Sequence, residues 1–148
     1  MKSNKLFTSA KLMKNTKEKE HYIKLIFKHR EKNQRVTVSS LSENLGVSKS
    51  SVTNMLKKLV HMGLVDTAPY QPIALTDKGV VVAQEIVAKH RLIELFLVEV
   101  MGFTNEQVHP IAEEIEHIDS PEFFRRVREM LKQDQLDPHG STIPEIKF

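Results

Sequence analysis

Between residues 17 and 28 the apolar side chains Tyr22, Ile23, Ile26 and Phe27 recur three to four positions apart with charge between them. That spacing predicts an amphipathic helix. Residues 33–37 are polar and read as a connection. The stretch VSSLSENLGVSKSSVTNMLKKLVHMGLV then predicts two short helices. Ser39 or Ser40 caps the first, which carries Leu41 and Leu45, and Gly46 ends it by taking the left-handed conformation. Ser48 caps the second, in which Val52, Met55, Leu56 and Leu59 form one stripe and Gly63 closes the helix. Two short helices about a tight glycine-containing turn make a helix-turn-helix.

Residues 64–67 and 73–76 alternate as short strands around the turn-rich APYQP segment. A small hairpin directly after the second helix is a wing. The remainder is helical in pattern. Asp77 caps a long helix running to about Val100, with Gly102 past its end. Thr104 with Gln107 three residues later has the capping-box form and opens a helix that ends near Ile118. Ser120-Pro121 starts another, with proline at its favoured first position. The tail DPHGSTIPEIKF is turn-rich. The expected fold class is therefore mainly α. A flexible N-terminal arm (1–16) precedes a winged helix-turn-helix with a β-hairpin wing (17–76), and an all-helical domain (77–148) follows.

Composition sharpens this division. Net charge is only +3, but residues 1–78 hold 15 Lys and Arg against 6 Asp and Glu, and residues 79–148 hold 7 against 13. A basic half suggests a polyanion partner, and an acidic half is free to take something positive. The chain has no cysteine, which excludes disulfides, thiolate metal sites and a cysteine nucleophile. The N-terminus lacks the apolar core of a secretory signal. No apolar run approaches the ~20 residues of a membrane helix, since 92–101 is broken by Glu94 and Glu99. A cytoplasmic protein without membrane contact is expected.

The second helix of the helix-turn-helix presents Ser48, Lys49, Ser50, Ser51, Thr53 and Asn54 at or near its N-terminus. Small polar side chains permit close approach to base edges in the major groove. Asn54 suits bidentate pairing with adenine. Lys49, Lys57 and Lys58 suit phosphates, which supply affinity without sequence information. The same module also serves as a protein-contact unit in other settings, and serines near a helix start also act simply as caps.

In the acidic half, IAEEIEHID concentrates carboxylates and a histidine. Glu113, Glu116 and His117 stand at i, i+3 and i+4, within about 100° of one another around a helix, and His109 lies on the same stripe. Glu114 points elsewhere. The long helix offers His90 and Glu94, again one turn apart. Such donors on two elements suit a divalent cation. Alternatively, the glutamates pair with Arg125, Arg126 and Arg128 on a solvated surface, and His90 is a partly buried histidine.

Four stretches in order, HYIKLIF, SKSSVTNMLKKL, KHRLIELFL and VHPIAEEIEHI with the later DPHGSTIP, resemble the diphtheria-toxin-repressor and manganese-transport-regulator family of metal-dependent repressors. The resemblance spans about 17–144. It implies a short form without the SH3-like domain of larger members, in which a winged-helix DNA-binding domain is followed by a helical dimerisation and metal-binding domain. Carried over by position, His21 takes the first-helix ligand place and Glu113, Glu116 and His117 the helical ligand block. His90, Glu94 and His109 match the ancillary site of iron-type members.

This chain also departs from the family pattern. The first-helix ligand is usually Asp or Met and here is His21. Manganese-type members place Glu where Lys24 stands, so the ancillary arrangement is expected rather than a binuclear one. Glu113 stands where iron-type members often have cysteine. An oxygen-and-imidazole set suits Mn2+ or Fe2+, with Mn2+ favoured, although Zn2+ binds such sites more tightly by the usual affinity order. The implied function is a Mn2+- or Fe2+-activated repressor of metal-uptake genes, not an enzyme. A homodimer would bind a palindromic operator in double-stranded DNA while a cation bridges the two domains. The rival readings are a metal-independent ligand-sensing repressor and, behind it, a metal-dependent hydrolase.

Overall fold

The computed structural model describes residues 17–148; the expected N-terminal arm lies outside the described residues. The chain separates into two compact units, Met1–Ala83 and Gln84–Phe148. Packing thus divides the chain within the long helix, beyond the junction at Thr76-Asp77 where the sequence pattern changes.

In the first unit, α1 (Lys17–Glu31) buries Tyr22, Ile23, Ile26 and Phe27, the stripe the spacing predicts. The helix-turn-helix follows as α2 (Val38–Leu45) and α3 (Lys49–His61). The cap of α2 is Thr37 rather than Ser39 or Ser40: Thr37 Oγ1 accepts from the Ser40 N–H at 3.0 Å while Ser40 Oγ accepts from the Thr37 N–H at 2.9 Å. Gly46 ends α2 at φ 65°, a left-handed conformation that residues with a side chain rarely adopt. Ser48 caps α3 by accepting from the Ser51 N–H at 3.1 Å. The buried stripe Val52, Met55, Leu56 and Leu59 faces the core.

The wing is a two-stranded antiparallel sheet, β1 (Val65–Asp66) with β2 (Ala74–Leu75), in which Val65 pairs with Leu75 and Asp66 with Ala74. Both strands are shorter than the alternation suggests. The wing is tied down where the Ile73 N–H donates to the Val36 carbonyl at 3.0 Å. At its tip Tyr70 stands almost fully exposed at φ 62°.

α4 (Asp77–Glu99) begins one residue after its cap. The cap is Thr76, not Asp77: its hydroxyl accepts from the Gly79 N–H at 3.0 Å and donates to the Gly63 carbonyl at 2.6 Å. Gly79 packs so tightly that a Cβ there would stand 2.0 Å from the Leu64 carbonyl oxygen.

In the second unit, α5 (Asn105–Ile115) and α6 (Pro121–Glu129) pack on α4. Their shared core holds Ile93, Leu97, Val108, Ala112, Phe124 and Val127. Gln107 Oε1 accepts from the Thr104 N–H at 3.0 Å, and Ser120 Oγ accepts from the Phe123 N–H at 3.2 Å, as the capping signals predict. α5 stops at Ile115, earlier than the expected Ile118, with Glu116 as its C-cap. The tail is not loose. Ile143 is buried against Ala88, Leu92 and Leu95, and Phe148 stacks near Phe124 with ring centroids 5.5 Å apart. The fold is thus a winged helix-turn-helix followed by a helical unit, as the pattern of apolar positions predicts.

Candidate metal centre

The i, i+4 spacing on α4 puts His90 and Glu94 on one face, and both are buried, at 1% and 2% exposure. α5 brings His109 to the same place from its exposed side. One donor atom from each of His90, Glu94 and His109 lies within 4.8 Å of the other two. His90 Nε2 is in contact with Glu94 Oε1, and His109 Nδ1 lies 3.5 Å from the same oxygen. The two imidazoles meet edge to face, with centroids 4.9 Å apart.

Two observations test whether these residues suit a cation. His90 Nε2 and Glu94 Oε2 are buried yet have no partner in hydrogen-bond geometry, although a charged neighbour is close to each. A buried polar group without a partner is costly, and a cation at the common focus removes that cost. The donor set, two imidazole nitrogens and a carboxylate, is also that of intermediate to hard divalent ions. The residues fit.

The electrostatics agree in direction. Burial pushes the Glu94 carboxyl upward, but the contact with His90 and the positive charges of His90, His139 and His109 outweigh it. Its pKa falls below the ordinary 4.5. Glu94 is thus held ionised, ready to act as a ligand oxygen.

Glu116, 1% exposed, stands behind His90: its Oε2 lies 2.7 Å from His90 Nδ1. In the neutral ring that a cation requires, a carboxylate there holds the proton on Nδ1 and leaves the Nε2 lone pair facing Glu94 and His109. This carboxylate–histidine arrangement fixes the ring and raises its basicity toward a metal.

Glu113, Glu116 and His117, the block expected from the sequence, lie beside histidines and a glutamate of the same region. Glu113 Oε1 reaches His109 Nε2 at 3.1 Å, and His117 Nε2 lies 3.4 Å from Glu116 Oε1. The three do not close into a set like that of His90, Glu94 and His109 among the described residues. His21 sits half-buried on α1 in the first unit. The arginines proposed as surface partners have other contacts: Arg125 and Arg126 meet Glu122, and Arg128 Nε lies 3.1 Å from Asp134.

His139 was missed. Its Nδ1 lies 3.0 Å from Glu94 Oε2, so the tail supplies a third imidazole beside the cluster. A histidine in an irregular turn belongs to no periodic stripe, and the only signal was its presence in DPHG.

On α3 every residue expected to meet DNA is exposed: Ser48, Lys49, Ser50, Ser51, Thr53, Asn54, Lys57 and Lys58. Some of the short hydroxyls also serve the helix, since Thr53 Oγ1 donates to the Lys49 carbonyl at 3.0 Å.

Comparison with known proteins gives two consecutive family matches. Residues 14–73 match the iron-dependent repressor N-terminal DNA-binding domain, and residues 76–145 match the iron-dependent repressor metal-binding and dimerisation domain. The chain is 36% identical over 110 residues to an uncharacterized HTH-type transcriptional regulator, MJ0568, of Methanocaldococcus jannaschii, covering 74% of this chain and 88% of the relative. It is 31% identical over 127 residues to the iron-dependent repressor IdeR of Mycobacterium tuberculosis, covering 86% of this chain but only 55% of IdeR. A solved manganese-dependent transcriptional repressor in complex with manganese superposes with a TM-score of 0.79 at 37% identity, covering 86% of this chain and 58% of that one. The chain thus spans little more than half the length of these last two. With a winged helix-turn-helix, a helical unit gathering imidazoles about a buried glutamate, and both family domains matched in order, the chain belongs to the iron-dependent repressor family.

Proposed function

We propose that this chain is a metal-responsive, non-enzymatic transcriptional regulator that acts in the cytoplasm as a homodimer on double-stranded DNA. The convergence of His90, Glu94 and His109 in the unit matching the metal-binding domain carries the reading. Mn2+ or Fe2+ is the proposed effector, since every donor is oxygen or imidazole. Zn2+ would also bind in vitro. A divalent cation would replace the histidine protons as the positive charge facing the buried Glu94.

The chain's own residues do the rest. Glu116 orients His90, and Glu94 is kept ionised. His109 closes the set from α5, and His139 approaches from the tail. On α3, Asn54 and the short hydroxyls face base edges while Lys49, Lys57 and Lys58 neutralise phosphates. Among the described residues no helix is long and apolar enough to cross a membrane.

Glu113, Glu116 and His117 form the second proposed ligand group. By the resemblance, His21 of α1 is proposed as a further donor to that group. Its test is a His21→Ala variant assayed for metal-stimulated DNA binding.

The experiment for the main reading is a titration of Mn2+, Fe2+ and Zn2+ against binding to an operator duplex selected from random sequence, with chelated protein as the start point. Binding that rises with metal and is lost in Glu94→Gln is expected. DNA binding of full strength after chelation would sink the metal reading and favour a ligand-sensing repressor.

A further inference from the structure

The turn that carries His139 is gripped from α4 by a buried ion pair. Arg91 and Asp137 are 6% and 8% exposed. Asp137 Oδ1 accepts from the His139 N–H at 2.9 Å and the Ser141 N–H at 2.8 Å, so this one carboxylate oxygen shapes the turn. Its other oxygen, Oδ2, faces Arg91 Nε at 3.9 Å. Arg91 Nη1 donates to the Thr142 carbonyl at 2.5 Å, so a single guanidinium holds both the beginning and the end of the turn. The backbone closes it as well, through the Asp137 N–H to the Ser141 carbonyl at 2.9 Å and a bridge between Leu136 and Thr142.

Position on α4 gives this grip its meaning. Arg91 and Glu94 are three residues apart and therefore neighbours on one helix face. Arg91 holds the ends of the turn, and Glu94 meets the histidine at its tip, 3.0 Å from His139 Nδ1. The buried Asp137 needs a counter-charge, and the turn fixed in this way carries an imidazole to 3.0 Å from Glu94, where a ligand off by about an ångström loses most of its binding advantage.

We propose that Arg91 and Asp137 are positioning residues for the metal centre: together they latch the His139 turn against Glu94, so that the C-terminal tail becomes part of the cation site. This inference rests on the metal reading given above. It also makes the tail's docking and the metal's affinity two sides of one equilibrium. The latch is local, since Ile143 and Phe148 anchor the tail in the core independently of Arg91.

The test uses the full chain and Mn2+ itself, with free Mn2+ followed by its EPR signal. Arg91→Met should lower Mn2+ affinity by about 10- to 100-fold, the range expected for a residue that orients a ligand. Asp137→Asn, which keeps the acceptor for both turn N–H groups but loses the charge facing Arg91, should lose less, and Arg91→Lys should recover part of the affinity. A merely structural role is separated by repeating Arg91→Met in a His139→Ala background. If Arg91 acts through His139, the second loss is nearly absent there. An equal loss in both backgrounds, or wild-type affinity in both Arg91→Met and Asp137→Asn, overturns the latch. A His139→Ala variant with wild-type affinity overturns it too. Failure of the centre itself reads differently: it is wild-type affinity in His90→Ala. Should Arg91→Met fail to fold, Asp137→Asn in both backgrounds decides on the same criterion.

Discussion

Replacing Glu116 by glutamine probes the centre most directly. From the sequence, Glu116→Ala would abolish the metal response and leave the fold intact. The structure changes that expectation, because Glu116 is 1% exposed and its Oε2 lies 2.7 Å from His90 Nδ1. Alanine would leave the buried His90 nitrogen without a partner, at a cost of about 1–3 kcal/mol, before any cavity is counted. It would therefore confound stability with binding. Glutamine keeps the shape and an acceptor oxygen but removes the charge. A hydrogen bond to an ionised acceptor contributes ~1.5–3 kcal/mol and is roughly twice as strong as a neutral one. The substitution should thus weaken the hold on His90 by about 1–1.5 kcal/mol, or close to tenfold in metal affinity at ~1.4 kcal/mol per decade. Isothermal titration with Mn2+ gives the affinity and a thermal melt without metal gives the stability. Affinity about tenfold lower, with a metal-free melt lower by only a few degrees, is expected. An affinity equal to wild type would refute the claim that Glu116 sets the basicity and orientation of His90.

Other outcomes follow from particular contacts. Gly79→Ala should destabilise the chain in a urea melt despite a gain in helix propensity of ~1 kcal/mol, since a Cβ would stand 2.0 Å from the pinned Leu64 carbonyl; a stabilised variant would contradict that packing. Lys57→Ala and Lys58→Ala, both exposed on α3, should each lower the salt dependence of duplex binding by about one unit of slope, read from binding at several salt concentrations. Burial, and then the charge of Glu18, raise the Tyr22 phenol above its ordinary 10.0. A raised pKa gives stability that is complete below pH 10 and lost as pH climbs through the folded value, so melts between pH 9 and 12 should fall less steeply in Tyr22→Phe.

The sequence made the helices of both units legible because their signals are local. The α1 and α3 stripes, the Ser48 and Ser120 caps and the Thr104–Gln107 pair each act within one helical turn. Where several residues compete for one role, locality was not enough. Thr37, Ser39 and Ser40 are all good caps, and the choice falls to Thr37, with Leu41 then pointing into the core at zero exposure. Thr76 displaces Asp77 in the same way, because only its hydroxyl also reaches the Gly63 carbonyl. At the centre, the pairing of His90 with Glu94 was legible as an i, i+4 repeat. The approach of His139 was not, since it depends on a turn folded around Asp137, 43 residues from Glu94 and 47 from His90 in the chain.

At the end of α5 the acidic residues meet histidines of both proposed ligand groups. The last helical residue is Ile115, and Glu116 as C-cap keeps helical dihedrals, its N–H donating to the Ala112 carbonyl at 2.9 Å. Its side chain lies between two histidines, with Oε2 toward His90 and Oε1 toward His117. Glu113 similarly reaches His109, whose other nitrogen faces Glu94. The two ligand groups that the resemblance treats as separate are therefore joined twice, through Glu116 to His90 and through Glu113 to His109. Neutralising any one of these carboxylates alters the orientation of a histidine in the neighbouring group. A loss of metal affinity in a Glu113 or Glu116 variant therefore belongs to both groups, and only pairwise substitution, Glu113→Gln with His109→Ala and Glu116→Gln with His90→Ala, apportions it.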